Sequence, residues 1–227
     1  MKRRQFTAGT LAALGVGLST PQAQAFQLSN ADASLGVKTA LERGAVAAVG
    51  LLGQTDGFLG NPQVRIPLPG FLNDAAKVLK FTGQQKRVDE LVTAMNRAAE
   101  AAVPQAKELL VNAAKSMSVQ DAARIVQGGE TSVTQFFTER TRAALTERFL
   151  PIVTKATEQV ALADKYNAVA GKASGLGLVK KEDTNIQAYV TRKSLDGLYF
   201  MIGEEEKKIR RDPVGTGSDI LRKVFGG

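Results

Sequence analysis

Apolar residues recur at helical spacing along nearly the whole chain, and no segment alternates with period two for long. Ser29-Asn30-Ala31-Asp32 has the character of an N-cap, predicting a helix from there to about Leu52. A short helix is expected over Phe71 to Phe81, stopped by Gly83. The next runs from about Gln84 to Ala102, with Val88, Leu91, Val92, Met95, Ala99 and Ala102 on one face. Pro104 either kinks it or starts a new helix ending near Met117. Ser118-Val119-Gln120-Asp121 opens a short helix that Gly128-Gly129 closes. Another begins at Thr131, is interrupted near Pro151 and resumes to about Ala168. The glycine-bearing stretch from Gly171 to Asp183 reads as a flexible connection. A long helix spans Asn185 to Arg210, ended by Asp212-Pro213. Residues 214–227 are a linker followed by a short apolar helix, Ile220 to Phe225. The pattern predicts an all-α, single-domain bundle of roughly six to eight helices.

One segment breaks the pattern. "FLGNPQVRIPLPGFLN", Phe58 to Asn73, carries three prolines, no helical period and a single charge, Arg65, among Val64, Ile66 and Leu68. Pro67 and Pro69 hold it extended. A connection of about 18 residues is long for a compact domain, and this one is too apolar to be disordered. Two readings follow. The connection lies across the bundle and delivers Arg65 to a buried carboxylate, Glu204 first and Glu100 second. Or it is an apolar strap closing the core, with Arg65 exposed at its rim.

On the long C-terminal helix, Ile186, Tyr189, Val190, Phe200 and Met201 share a face, with Gly197 in its middle as a point of close approach for another helix. Leu195, Leu198 and Ile202 extend the apolar surface, and Arg192, Lys207 and Arg210 mark the narrow polar strip, so the helix should be central. Lys193 and Glu204 project toward the apolar face and Asp196 lies at its edge; Lys193 and Asp196 are spaced to pair. A buried Glu204 would need a cation from elsewhere. Along the helix from Gln84, Asp89, Thr93, Asn96 and Glu100 form a polar seam in which Asn96 and Glu100 can hydrogen-bond. Asp89 and Glu100 lie about 16 Å apart along the axis and are no catalytic pair. The plainer reading is a seam that satisfies neighbouring helix ends. Two further features read as local structure: Asp56 and Asn61 as turn residues, Tyr166-Asn167 as a polar cap. "LNDAAKVLKFTG" and "VQDAARIVQGG" echo each other, either as copies of a helical hairpin or through shared capping preferences.

Composition narrows the chemistry. There is no histidine, cysteine or tryptophan. Ser-His-Asp and Cys-His catalysis are excluded, as are the usual zinc, copper and haem ligand sets, and no cofactor or metal is expected. The first 25 residues read as an export signal: Lys2, Arg3 and Arg4, then apolar Phe6 to Leu18, then Ala23-Gln24-Ala25. Arg3-Arg4-Gln5-Phe6 also suits the twin-arginine route, with the general secretory route the alternative. The expected mature chain, 26–227, keeps about five of the formal +8 charges, interspersed with acids. No basic stripe with aromatics suggests nucleic acid, and no later run is apolar enough to cross a membrane.

"DGFLGNPQVRIPLPGFL", "MNRAAEAAVPQAKELL", "FLPIVTKATEQV", "KYNAV", "YVTRKSLDGLYFMIGEEEKKIRRDP" and "SDILRKVFG" resemble, in order, a family of exported bacterial proteins catalogued as domain of unknown function 4197. The resemblance spans about Asn30 to Gly226 and implies export without an assigned activity. The expectation is a periplasmic protein of the binding or envelope-associated kind, its partner a small molecule or an envelope protein. The candidate polar and charged cluster is Arg65, Asn96, Glu100, Lys193, Asp196 and Glu204, and the alternative is a hydrolase or lyase drawn from its Glu100, Glu204, Asp196 and Arg65, at least two of which would have to converge on one pocket.

Overall fold

The computed structural model describes residues 30–70, 83, 85–129, 132–158, 161–175 and 185–212. Among them are seven α-helices: α1 (Asn30–Leu52), α2 (Gln85–Ala102), α3 (Lys107–Lys115), α4 (Val119–Gln127), α5 (Ser132–Thr157), α6 (Ala161–Gly175) and α7 (Ile186–Arg211). No strand occurs among the described residues. The chain is all-α. The expected helix over Phe71 to Phe81, with its half of the internal echo, and the expected helix over Ile220 to Phe225 lie outside the described residues.

α7 is the central element, packing against α5, α1 and α2. Its buried residues include Ile186, Tyr189, Val190, Leu195, Leu198, Tyr199 and Ile202. Phe200, expected on that face, is instead exposed. With so many apolar residues round the helix, its rotation is set by the helices it packs against most, α5 and α1 above all, and Tyr199 takes the inward place. α1 buries Val37, Leu41, Ala45, Ala48 and Leu52 in a stripe of helical spacing. Phe58, Phe137 and Phe149 are fully buried in the same core; each burial stabilises by roughly 1.5–3 kcal/mol.

Local chemistry sets the helix ends. Val103–Ala106 is a 3₁₀ turn with Pro104 near its start, which separates α2 from α3. Ser118 and Asp121 form a reciprocal capping box at α4. Asn185 caps α7 by accepting from the Ala188 N–H at 2.6 Å. A second cap comes from outside: Asn167 Oδ1, within α6, accepts from the Ile186 N–H at 2.8 Å. α5 runs unbroken through Pro151 to Thr157, against the expected interruption. Pro151 and Glu147, whose carbonyl loses its partner, are both exposed, so water can replace the missing bond. α6 starts afresh at Ala161 and continues to Gly175, past the expected end.

Candidate functional site

After α1 the chain leaves the helix in a series of bends and turns from Gly53 to Val64 and runs without regular structure from Arg65 through Pro69. Asp56 takes a positive φ of 67°. At Gly57 a side chain would meet the Leu51 and Leu52 carbonyl oxygens at 2.5 Å, so only glycine fits. Phe58, Val64 and Ile66 are buried in the core. A non-helical segment in a helical core brings amide groups with no ladder of their own, and side chains of α2 satisfy several of them. Glu100 Oε1 accepts from the Phe58 and Leu59 N–H groups at 3.0 and 3.1 Å. Asn96 accepts from the Ile66 N–H at 2.8 Å, donates to the Ile66 carbonyl at 3.0 Å, and donates to the Val92 carbonyl at 2.8 Å. From α7, the Tyr189 hydroxyl donates to the Pro67 carbonyl at 3.0 Å.

The second Glu100 oxygen accepts from Arg97 at 2.6 Å, and Arg97 also donates to Asp56 at 2.7 Å. These two acids, Glu100 first, hold the Arg97 guanidinium above its ordinary pKa. Gly197 is indeed a point of close approach. The visitor is the connection rather than another helix: an added Cβ would lie 2.9 Å from the Phe58 ring and 3.2 Å from Val64 Cβ.

The structure thus brings together two of the six candidate residues, Asn96 and Glu100, and gives both to the connection's backbone. Arg65 is exposed. It serves neither carboxylate once proposed for it, since Glu100 takes Arg97 and Glu204 takes Lys207 at 3.0 Å. Glu204 is half-buried. The buried acid of α7 is Glu206, which pairs with Arg210. Asp196 pairs with Arg142 at 2.8 Å and Arg192 at 3.7 Å rather than with Lys193, because α5 brings Arg142 across. Lys193 is half-buried. Beside Asp196, the Arg142 guanidinium sits 5.1 Å over the Tyr199 ring, and the Tyr199 hydroxyl bonds Thr141 at 2.9 Å. Burial raises the Tyr199 pKa above its ordinary value.

Among the described residues two clefts lie elsewhere, and neither is lined by any of the six candidates. One, of about 260 Å³ between α4 and α5, is lined by Asp121, Arg124, Gly128, Ser132, Glu139 and Arg140 among others. Asp121 organises it. Its carboxylate accepts from the Ser118 N–H at 3.0 Å and the Ser118 hydroxyl at 2.8 Å. It also pairs with Arg124, and with Arg140 at 3.0 Å. The Ser118 backbone bond is the largest influence lowering the Asp121 pKa; the hydroxyl and both arginines add to it, and burial opposes. Arg140 lies 5.4 Å over the Phe136 ring. The sequence disclosed Asp121 as a capping residue. Arg124, one turn on, was a readable partner; Arg140 comes from another helix and was not. The second cleft, of about 280 Å³ between α1 and α4, is mainly apolar. Among the described residues there is no cluster of three or more potential metal-ligating side chains, and no helix is long and apolar enough to cross a membrane.

Fold and clefts together define an all-α domain whose buried acids are engaged in capping and ion pairing. The chain belongs to the family described as a protein of unknown function (DUF4197), whose model matches residues 27–226. No curated protein and no solved structure matches it.

Proposed function

We propose that this is an exported, periplasmic protein that binds a small polar molecule without transforming it, and that the cleft between α4 and α5 receives the ligand. The observation that supports this is the Asp121 node. One buried carboxylate fixes two arginines at a cleft, leaving further guanidinium N–H groups to donate. Such donors suit a ligand rich in oxygen acceptors. None of Arg65, Glu100, Asp196 and Glu204, of which a carboxylate-based hydrolase or lyase would need at least two together, lines either cleft. Export rests on the basic, apolar and Ala23-Gln24-Ala25 pattern of the first 25 residues.

Native mass spectrometry of protein recovered from the periplasm of its own cells tests both parts. A polypeptide beginning at Phe26, carrying an extra mass of a few hundred daltons that Arg124→Ala and Arg140→Ala reduce, is the expected result. A retained mass indifferent to both substitutions would overturn the cleft, and an unprocessed chain in the cytoplasmic fraction would overturn export. Arg124→Ala is the safer variant, since that side chain is 74% exposed.

A further inference from the structure

The groups lining the α4–α5 cleft differ in what they have left to offer a ligand. Their acceptors are largely spent. One oxygen of the Asp121 carboxylate accepts from Arg124, and the other from the Ser118 N–H, the Ser118 hydroxyl and Arg140. The Ile125 carbonyl accepts from the Ser132 hydroxyl at 3.2 Å and from Arg210 at 3.1 Å. The Gly129 carbonyl accepts from the Ser132 N–H at 3.1 Å and from the Ser132 hydroxyl at 2.9 Å. The donors are not spent. Among the described residues, Arg124 and Arg140 each give one hydrogen bond, to Asp121, out of the five N–H groups that a guanidinium carries. Because they bond opposite oxygens of one buried carboxylate, both are held at the same place.

Charge narrows the choice further. Two arginines against one aspartate leave the node one positive charge in excess. Glu139, exposed where α5 lines the cleft, offsets that excess. One Glu139 oxygen accepts from Gln135 at 2.8 Å, and the other makes no hydrogen bond among the described residues. A single carboxylate matches the planar fork of a guanidinium and can meet both arginines. A second negative charge on the ligand would face Glu139, whereas a ligand hydroxyl could donate to its remaining oxygen. The cleft volume, about 260 Å³, lies below the range of about 300–1,000 Å³ usual for drug-sized ligands, so the ligand is small. We propose that the ligand of this cleft is a small, hydroxyl-bearing acid with one carboxylate, which Arg124 and Arg140 hold while a hydroxyl donates to Glu139. The inference rests on the reading of this cleft as the binding site and adds the class of ligand to it.

Three probes that share one polyhydroxy skeleton test it: sorbitol is uncharged, gluconate has one carboxylate, and glucarate has one at each end. Each is titrated into the chain from Phe26 onward while the Gly128 and Gly129 amide resonances, which report on the cleft, are followed by NMR. Gluconate should bind at least about 10-fold tighter than sorbitol or glucarate, and Arg124→Ala should weaken it by about 10-fold. Glu139→Gln, at an exposed position, should bring glucarate up toward gluconate. Glucarate or sorbitol binding as tightly as gluconate at these amides would overturn the single-carboxylate assignment and leave the cleft standing as a binding site. Gluconate binding indifferent to Arg124→Ala, or no probe moving these amides, would overturn the inference as well. Whether the cleft reading falls with it is decided separately, by the mass retained on the periplasmic protein and its dependence on Arg124.

Discussion

Asn96 is the side chain on which the connection most depends. It is fully buried, and so is Ile66, whose N–H and carbonyl it serves. Replacing it with alanine leaves both backbone groups without their partner, while the Val92 carbonyl keeps its place in the helix. An unsatisfied buried polar group costs about 1–3 kcal/mol, so with two such groups Asn96→Ala should destabilise by about 2–6 kcal/mol. Against a total of about 5–15 kcal/mol for a typical domain this is a large loss. Urea unfolding of the chain from Phe26 onward, followed by far-UV circular dichroism, reads it as a lowered midpoint at unchanged slope. Hydrogen exchange should show the Ile66 amide losing more protection than the core of α7. Asn96→Asp separates hydrogen bonding from packing. The carboxylate still accepts from the Ile66 N–H but faces the Ile66 and Val92 carbonyls with no donor, and Glu100 lies one turn away. Burial would raise its folded pKa above the unfolded value of about 3.9. The sign follows: its stability is greatest below the unfolded pKa and is lost as pH rises through the folded pKa. Asn96→Asp should therefore recover on acidification relative to Asn96→Ala. A loss under about 0.5 kcal/mol in Asn96→Ala, within ordinary surface scatter, would refute the reasoning and leave apolar anchors alone holding the connection.

Three further outcomes are expected. Gly197→Ala should destabilise by about 1–3 kcal/mol despite its better helix propensity, because its Cβ meets the buried Phe58 ring; Phe58→Leu should recover part of that loss in a double-mutant cycle. Asp121 has a lowered folded pKa, so its contribution is present above the ordinary carboxylate range and is lost as pH falls through the folded value. The stability gap between the natural chain and Asp121→Asn should accordingly shrink in acid, and a gap constant with pH would contradict the assignment. Arg65→Ala should change stability by less than about 0.5 kcal/mol, as measured by the same urea titration, since Arg65 is exposed.

Helix positions were legible because capping and period are local properties. The limits of α1, the Ser118 box and the Asn185 cap all follow from adjacent residues. Which helix faces which is not local. A helical wheel offers the α7 acids only partners from the same helix, such as Lys193 for Asp196, and no view of what a neighbouring helix brings. It therefore could not anticipate that Arg142 would cross from α5 to Asp196, or that Glu206 rather than Glu204 would lie inside. The same limit applied at Asp121, where Arg140 stands on a different helix.

The connection is the instructive case, because its main signal was in the sequence at a different period. Val64 and Ile66 are buried while Arg65 and Pro67 are exposed, the alternation of an extended strand. With prolines fixing the extended backbone, apolar residues at 64 and 66 require the residue between them to point outward. Arg65 is charged because that position faces water, not because a buried acid awaits it. A lone extended segment also lacks the neighbouring strand that would pair its amides. The side-chain amide of Asn96 takes that role, accepting and donating to one residue as a neighbouring strand would. The polar seam on α2 and the apolar connection are therefore two halves of one arrangement: a helix can pack against non-helical backbone only where its buried face carries groups that bond that backbone, and Asn96 and Glu100 stand where Ile66, Phe58 and Leu59 need them.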